Sequence, residues 1–273
     1  MVLVTGAAGG IGRVITAALL ADGHSVAAVD RDVEGLAQLA AAHDAPETKP
    51  RLLTIAEDLE LGFGCHAAVR AARSQFGTIE AVINNAGIGM SSIRPDADAK
   101  LPGIDELTPE IWEPFLSIFI RAPAILVRAA LPFMKQGGFG RIVNNTTSYL
   151  TMLRVLPYGA VKAALEAMSA VWAKELEGTG ITVNVLVPGG PTDTPFVGDG
   201  AGWARARMLR PEIMGPPIRW LMSDAANGVT GQRFTGAEWD SALADDEAAQ
   251  RARRAIGWPE LAAQTAWWPK DSS

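Results

Sequence analysis

The chain has 273 residues, 48% of them hydrophobic and 20% charged, the proportions of a soluble globular domain with length enough to bury a large core. A net charge of -6 argues against a nucleic-acid partner, because binding phosphates needs a basic face. The single cysteine, Cys65, excludes an internal disulfide and a cysteine-cluster metal site, and it points to a reducing cytoplasm.

Val2 to Val4 read as a first strand that follows Met1 directly, so no secretory signal is expected. The segment Thr5-Gly6-Ala7-Ala8-Gly9-Gly10-Ile11-Gly12 turns this strand into a helix that carries Ile11, Val14, Ile15, Ala18 and Leu19 at helical spacing. Glycines let the backbone turn tightly and let a pyrophosphate reach the amides at the helix N-terminus, where the dipole favours negative charge. A second strand, Ser25 to Val29, ends in Asp30, where a dinucleotide-binding unit holds the adenosine ribose hydroxyls. Asp30 repels a 2′-phosphate and no Lys or Arg lies between Thr5 and Gly12, so NAD is expected over NADP; Arg31 partly offsets this preference.

Strand and helix signals alternate onward, with strands expected at 2–4, 25–29, 51–56, 80–83, 140–144, 181–187 and 229–235. Helices are expected at about 11–22, 33–42, 62–76, 108–134, 157–178 and 203–224. Such alternation predicts an α/β fold: one Rossmann-type, doubly wound parallel sheet of about seven strands with helices on both faces. Phe115 to Met134 is strongly apolar, but Arg121, Pro123, Arg128 and Pro132 make it a buried helix rather than a membrane span. Residues 1–240 form the expected dinucleotide-binding and catalytic domain. Residues 241–273 add a polar helix, Ala244 to Ile256, and a tail with Trp267-Trp268-Pro269 that packs on the domain or on a neighbouring subunit.

Two long stretches, Ile88 to Leu107 and Pro188 to Arg210, follow strands at their carboxyl ends, the edge where open α/β sheets bind ligands. They carry Met90, Ile93, Phe196, Trp203 and Met208 beside Arg94, Asp96, Asp98 and Lys100, and are the expected substrate walls. Tyr158-Gly159-Ala160-Val161-Lys162 opens a helix and places Tyr and Lys on one face. To act as a base near neutrality, a tyrosine with an ordinary value near 10 must come down by about 3, or about 4 kcal/mol. An ammonium about 4 Å away at an effective dielectric of about 20 supplies roughly that. His24, His43 and His66 are scattered without metal-ligand spacing, so no metal is expected; no GxSxG elbow occurs. Tyr149 either faces the pocket or packs.

Together these motifs resemble the short-chain dehydrogenase/reductase family up to about Asp240. The likeness rests on the glycine turn, Asp58 after the third strand, Asn84-Asn85-Ala86-Gly87 after the fourth, Tyr158 with Lys162, and Pro188-Gly189 after the sixth. It implies NAD(P) binding and hydride exchange between nicotinamide and a carbinol or carbonyl carbon. By the same resemblance Gly6, Ala8, Gly10, Ile11 and Gly12 flank the pyrophosphate, Asp58 and Leu59 meet the adenine, and Asn85, Ala86 and Gly87 pack beside the adenosine ribose. Lys162 holds the nicotinamide ribose and lowers the pKa of Tyr158, which passes the proton. Thr194 or Thr192, beyond Pro188 and Gly189, steadies the carboxamide. A homotetramer or homodimer built on helices 108–134 and 157–178 is implied, as is a small alcohol or ketone substrate.

Two departures stand out. The family's catalytic serine slot falls on Thr147, with Ser148 one step on, and either hydroxyl could orient the substrate oxygen. The family's water-anchoring asparagine is replaced by Phe119, and no asparagine lies between Asn85 and Asn144. The expected function is an NAD-preferring oxidoreductase interconverting a secondary alcohol and a ketone. The alternatives are an NAD-binding scaffold or sensor with weak turnover, and an NADPH-dependent ketoreductase.

Overall fold

The structure, a computed structural model, describes residues 1–264. The strands are β1 (Val2–Thr5), β2 (Val26–Asp30), β3 (Leu52–Ala56), β4 (Ala81–Asn84), β5 (Gly140–Asn145), β6 (Ile181–Val187), β7 (Gln232–Thr235) and β8 (Arg253–Ala255). They form one sheet in the order β3-β2-β1-β4-β5-β6-β7-β8, parallel except for β8, which pairs antiparallel with β7. Because strand side chains alternate, one sheet carries two cores. Val2, Val4, Val26 and Ala28 face α1 (Gly10–Ala21) and α2 (Val33–Ala42); Leu3, Ala27, Val29 and Ile55 face α3 (Gly62–Phe76) and the helices that follow.

The expected helix at 108–134 runs from Pro109 to Gly137 as α4 (Pro109–Leu116), a π turn (Ser117–Arg121) and α5 (Ala122–Gly137). Pro123 has no N–H to give the Phe119 carbonyl, and the Ala122 amide reaches instead to the Ser117 carbonyl. By length and composition this helix could cross a membrane, yet half of its apolar window is buried. Phe115, Phe119 and Leu126 belong to the core. A short α6 (Tyr149–Met152) bridges β5 to α7 (Tyr158–Glu175).

The C-terminal third differs from expectation. The helix expected at 203–224 is broken into single turns at Arg205–Arg207 and Pro211–Met214, followed by α8 (Gly215–Leu221), because Pro211, Pro216 and Pro217 interrupt the backbone ladder. The helix expected over 244–256 stops at Ala252 as α9 (Asp245–Ala252), and its last residues become β8, giving the sheet an eighth strand. Ala248, Ala249 and Ala252 of α9 join the core beside Trp220 and Phe234, and a short α10 (Pro259–Ala262) follows β8. Trp267 and Trp268 lie outside the described residues.

Candidate active site

The turn from β1 into α1 excludes side chains. Gly6 has φ +64°, and a Cβ there would stand 2.7 Å from the Ala86 Cα; a Cβ on Gly12 would meet the Gly6 carbonyl at 1.9 Å. No acidic side chain occupies the first turn of α1 and no side chain caps it. An open helix N-terminus behind a bare turn, with a carboxylate ending the next strand, fits the pyrophosphate and ribose of a dinucleotide.

Asp30 ends β2 half-buried, accepting hydrogen bonds from the Ala8 amide and the Asp32 amide, both at 3.0 Å. Its carboxylate is thereby fixed to the glycine turn. Arg31 points away into an ion pair with Glu60 at 2.9 Å, so its charge is already matched. Arg13, one residue past the glycines, was not among the expected site residues. Its Nε donates to the Ala8 carbonyl at 2.7 Å and its Nη2 to the Gly35 carbonyl at 3.0 Å, tying the turn to α2. Asp58 accepts from the Glu60 amide at 2.9 Å, and Leu59 is buried in the core beside α3. Asn85 donates to the Thr5 carbonyl at 3.0 Å and accepts from Asn145 at 2.9 Å, while Thr5 Oγ1 accepts from the Asn85 and Ala86 amides. These bonds lock the glycine turn, the end of β4 and the end of β5 together.

After β6, Gly189 has φ +102° and the Pro188 carbonyl accepts from Ala237 at 3.0 Å. Thr194 lies over the glycine turn, since a Cβ at Gly10 would meet its Cγ2 at 2.4 Å; Thr192 instead donates its hydroxyl to the Gly190 carbonyl at 3.2 Å. Arg205 fastens this loop, donating to the carbonyls of Thr194 and Val197 at 3.0 and 2.8 Å.

Tyr158 and Lys162, one turn apart on α7, meet the end of β5. The Lys162 ammonium donates to the Asn145 carbonyl at 2.5 Å, and the Thr147 hydroxyl lies near enough to the Tyr158 oxygen to favour its anion. Ser148 is used differently: its Oγ caps α6, accepting from the Thr151 amide at 3.2 Å. Thus Thr147, and not Ser148, stands beside the tyrosine.

Phe119 fills the space beside the pair. Its ring is edge-on to Tyr158 at 5.5 Å between centroids, and Lys162 Nζ sits 4.3 Å over its face. A Cβ on Gly87 would come within 2.6 Å of this ring, so the glycine makes room for it. Phe196 packs on Tyr158 at 5.5 Å. Burial pushes the Tyr158 hydroxyl up to about 12, with the nearby Thr147 hydroxyl opposing and the charge of Asp98 adding to the rise. Burial also pulls Lys162 down to about 7. The expected lowering of the tyrosine by the lysine is therefore outweighed here by desolvation of both groups.

Behind Thr147 lies a buried ion pair that the sequence reading missed. Arg233 of β7 meets Glu166 of α7 at 2.7 Å, and its Nη2 donates to the Thr147 carbonyl at 2.5 Å. Thr146 donates to Glu166 at 2.6 Å; Tyr149 lies under the Arg233 guanidinium and donates to the Gly257 carbonyl at 2.9 Å. Tyr149 therefore packs away from the tyrosine and belongs to this support.

Comparison with known proteins places the chain in a family. The profile of the short chain dehydrogenase family matches residues 1–202. A cis-4-hydroxycyclohexanecarboxylate dehydrogenase of Sinomonas cyclohexanicum is 31% identical over 241 residues, covering 84% of this chain and 91% of that protein. A short-chain type dehydrogenase/reductase of Picea abies is 31% identical over 172 residues, a match spanning 59% of this chain and 60% of the relative. Among solved structures, a 3-ketoacyl-(acyl-carrier-protein) reductase from Brucella melitensis complexed with NADH superimposes with TM-score 0.70 at 26% identity, covering 84% of this chain and 93% of the other. The family profile over residues 1–202 and relatives that cover most of the chain make it a member of the short-chain dehydrogenase/reductase family and an NAD(P)-dependent oxidoreductase.

Proposed function

We propose that this enzyme prefers NAD and interconverts a secondary alcohol and a ketone, with Tyr158 exchanging the proton, Lys162 as its electrostatic partner and Thr147 orienting the substrate oxygen. The placement of Tyr158 and Lys162 one turn apart on α7, with the Lys162 ammonium bonded to the end of β5 two residues before Thr147, carries the reading. In reduction the Tyr158 hydroxyl gives its proton to the ketone oxygen, and in oxidation the Tyr158 phenolate takes the alcohol's proton, while the Thr147 hydroxyl keeps the substrate oxygen within reach. Bound nicotinamide supplies the hydride acceptor. Lys162, held by the Asn145 carbonyl, would hold the nicotinamide ribose and favours the tyrosine anion when charged.

NAD preference is supported by the fixed Asp30 carboxylate and by the pairing of Arg31 with Glu60, which leaves a 2′-phosphate facing an acid. Residues 1–240 carry both binding and catalysis in this reading, and β8, within the described part of residues 241–273, covers the sheet edge. A homodimer or homotetramer through α4, α5 and α7 is supported by the exposure of Val171 on α7. The buried, unpaired thiol of Cys65 suits a reducing cytoplasm.

The test is a fluorescence titration with NADH and NADPH followed by an alcohol screen, repeated on Tyr158→Phe, Thr147→Val and Ser148→Ala. Expected are at least about tenfold tighter binding of NADH, unchanged cofactor binding but at least about a thousandfold lower turnover in Tyr158→Phe, a large loss in Thr147→Val and near-normal rates in Ser148→Ala. One observation favours a second reading, a nucleotide-binding sensor with weak turnover: Phe119 and Phe196 both press on Tyr158. Equal NADH binding by wild type and Tyr158→Phe, with neither oxidising any alcohol, would select it.

A further inference from the structure

Phe196 stands where the loop after β6 meets Tyr158. Its ring packs on the tyrosine at 5.5 Å between centroids and 56° between planes, yet the residue is 37% exposed, so one side rests on Tyr158 and another is open to solvent. Phe119 flanks the tyrosine as well, edge-on at 5.5 Å. Both rings are seated on one residue: a Cβ at Gly87 would come 2.6 Å from the Phe119 ring and 3.5 Å from the Phe196 ring. Tyr158 is thereby lined by two phenyl groups that share a glycine floor.

The backbone holds the Phe196 ring in place from both sides. A Cβ at Gly89 would overlap the Phe196 carbonyl oxygen, so the loop between β4 and α4 lies directly against it. Gly198 and Gly200 bring the following residues against Ser91 and the Pro95 carbonyl in the same way. Arg205 donates to the carbonyls of Thr194 and Val197, which bracket Phe196, at 3.0 and 2.8 Å. Charges of the two loops are turned to one another: Arg94 and Lys100 pair with Asp96, and Arg205 and Arg210 pair with Asp193. What the loop after β6 presents to Tyr158 through Phe196 is therefore a fixed apolar surface. Such a surface discriminates by the apolar area it removes from water, and being fixed it loses little freedom of its own on binding. We propose that Phe196 is a specificity-determining residue that packs against an apolar ring attached to the carbinol carbon, so that the enzyme favours secondary alcohols and ketones bearing such a ring over small or polar-armed ones. This rests on the dehydrogenase reading.

The experiment compares kcat/KM for 2-propanol, 1-cyclohexylethanol and 1-(oxan-4-yl)ethanol, the last of the same shape with an ether oxygen in its ring, in wild type, Phe196→Leu and Phe196→Ala. Binding of the two ring alcohols to the NAD complex is measured separately by calorimetry in the Tyr158→Phe background, with and without Phe196→Ala. Expected is a wild-type preference for 1-cyclohexylethanol over 2-propanol of at least about tenfold, which falls at least about fivefold in Phe196→Ala and less in Phe196→Leu. The change is carried mainly by KM, and the Kd of 1-cyclohexylethanol weakens by a similar factor. The ether analogue is used at least about threefold less well than 1-cyclohexylethanol by wild type, and this gap narrows in Phe196→Ala. Native thermal melting certifies that the variants are folded. Equal use of the three alcohols by wild type, or a ring preference that persists in Phe196→Ala, overturns the assignment while leaving the dehydrogenase reading intact. So does a Phe196→Ala protein that gains on every alcohol alike, which would make the ring an obstruction. Equal use of the two ring alcohols would make the selection one of shape and overturn the apolar assignment. A wild type that binds NADH yet oxidises no alcohol overturns the dehydrogenase reading itself, and the assignment with it.

Discussion

Phenylalanine at position 119 changes what the Lys162 ammonium rests on. A polar side chain there could hold water against the nitrogen; the Phe119 ring offers only its face, 4.3 Å away, so the charge keeps one strong acceptor, the Asn145 carbonyl. Lys162, pulled down to about 7 from its ordinary 10.5, binds fewer protons in the folded than in the unfolded chain between those values. The cofactor-free protein therefore gains stability as pH rises from about 7 to 10.5 and carries the full penalty below 7. Lys162→Met is expected to melt above wild type at neutral pH, with the difference shrinking toward pH 10.5, as followed by thermal denaturation without nucleotide. Above about 10 both proteins lose stability, since Tyr158 stays protonated in the fold up to about 12. Phe119→Asn should let the ammonium persist to higher pH, move the acidic limb of the alcohol-oxidation profile downward and change the solvent isotope effect. An unmoved limb with an unchanged isotope effect would count against this account of Phe119. At this scale the sequence was informative where residues act close together along the chain, as with Tyr158 and Lys162. It left Thr147 and Ser148 open, because only the fold shows that the Ser148 oxygen caps α6.

Elements are joined at the site by the Arg233–Glu166 pair, and the consequence is mechanical. β7 and α7 lie 67 residues apart at this contact, so no local pattern could announce it. On its own, Glu166 reads as a helix residue and Arg233 as a strand residue. Folded, they clamp the turn after β5 through the Thr147 carbonyl. Arg233→Met is expected to cost about 3–5 kcal/mol in urea denaturation, because it strands a fully buried carboxylate. The double variant Arg233→Met/Glu166→Leu should recover most of that stability. It should not recover kcat, expected to stay at least about tenfold below wild type, since nothing then holds Thr147. Recovery of both would reduce the pair to packing. Alternation of strands and helices was legible up to β6 because hydrophobic periodicity there is uninterrupted. It failed between Trp203 and Asp224, where apolar residues persist at helical spacing but prolines break the ladder.

For the whole molecule, residues 241–264 are part of the sheet and not an appendage to it. α9 places Ala248, Ala249 and Ala252 in the core, Trp220 donates to Asp246 at 2.7 Å, and β8 covers the edge of β7. Removing the chain beyond Asp240 is expected to expose that edge and the Trp220, Phe234 and Trp239 cluster, so the truncated protein should bind a hydrophobic dye and elute as aggregate on size exclusion. A monodisperse truncated protein with native melting would refute this. The extra strand escaped the sequence reading because Arg253-Arg254-Ala255 has no strand-like alternation. Its pairing with β7 is imposed by the sheet.

The bond from Tyr149 to the Gly257 carbonyl has a temporal side. Synthesis delivers β1 through β7 before residues 253–258, so a growing chain can assemble the parallel sheet while the seat of Thr147 is still unfinished. Catalytic competence then arrives later than foldedness, and a nascent polypeptide with its nucleotide cleft already shaped would be silent until Gly257 had left the ribosome.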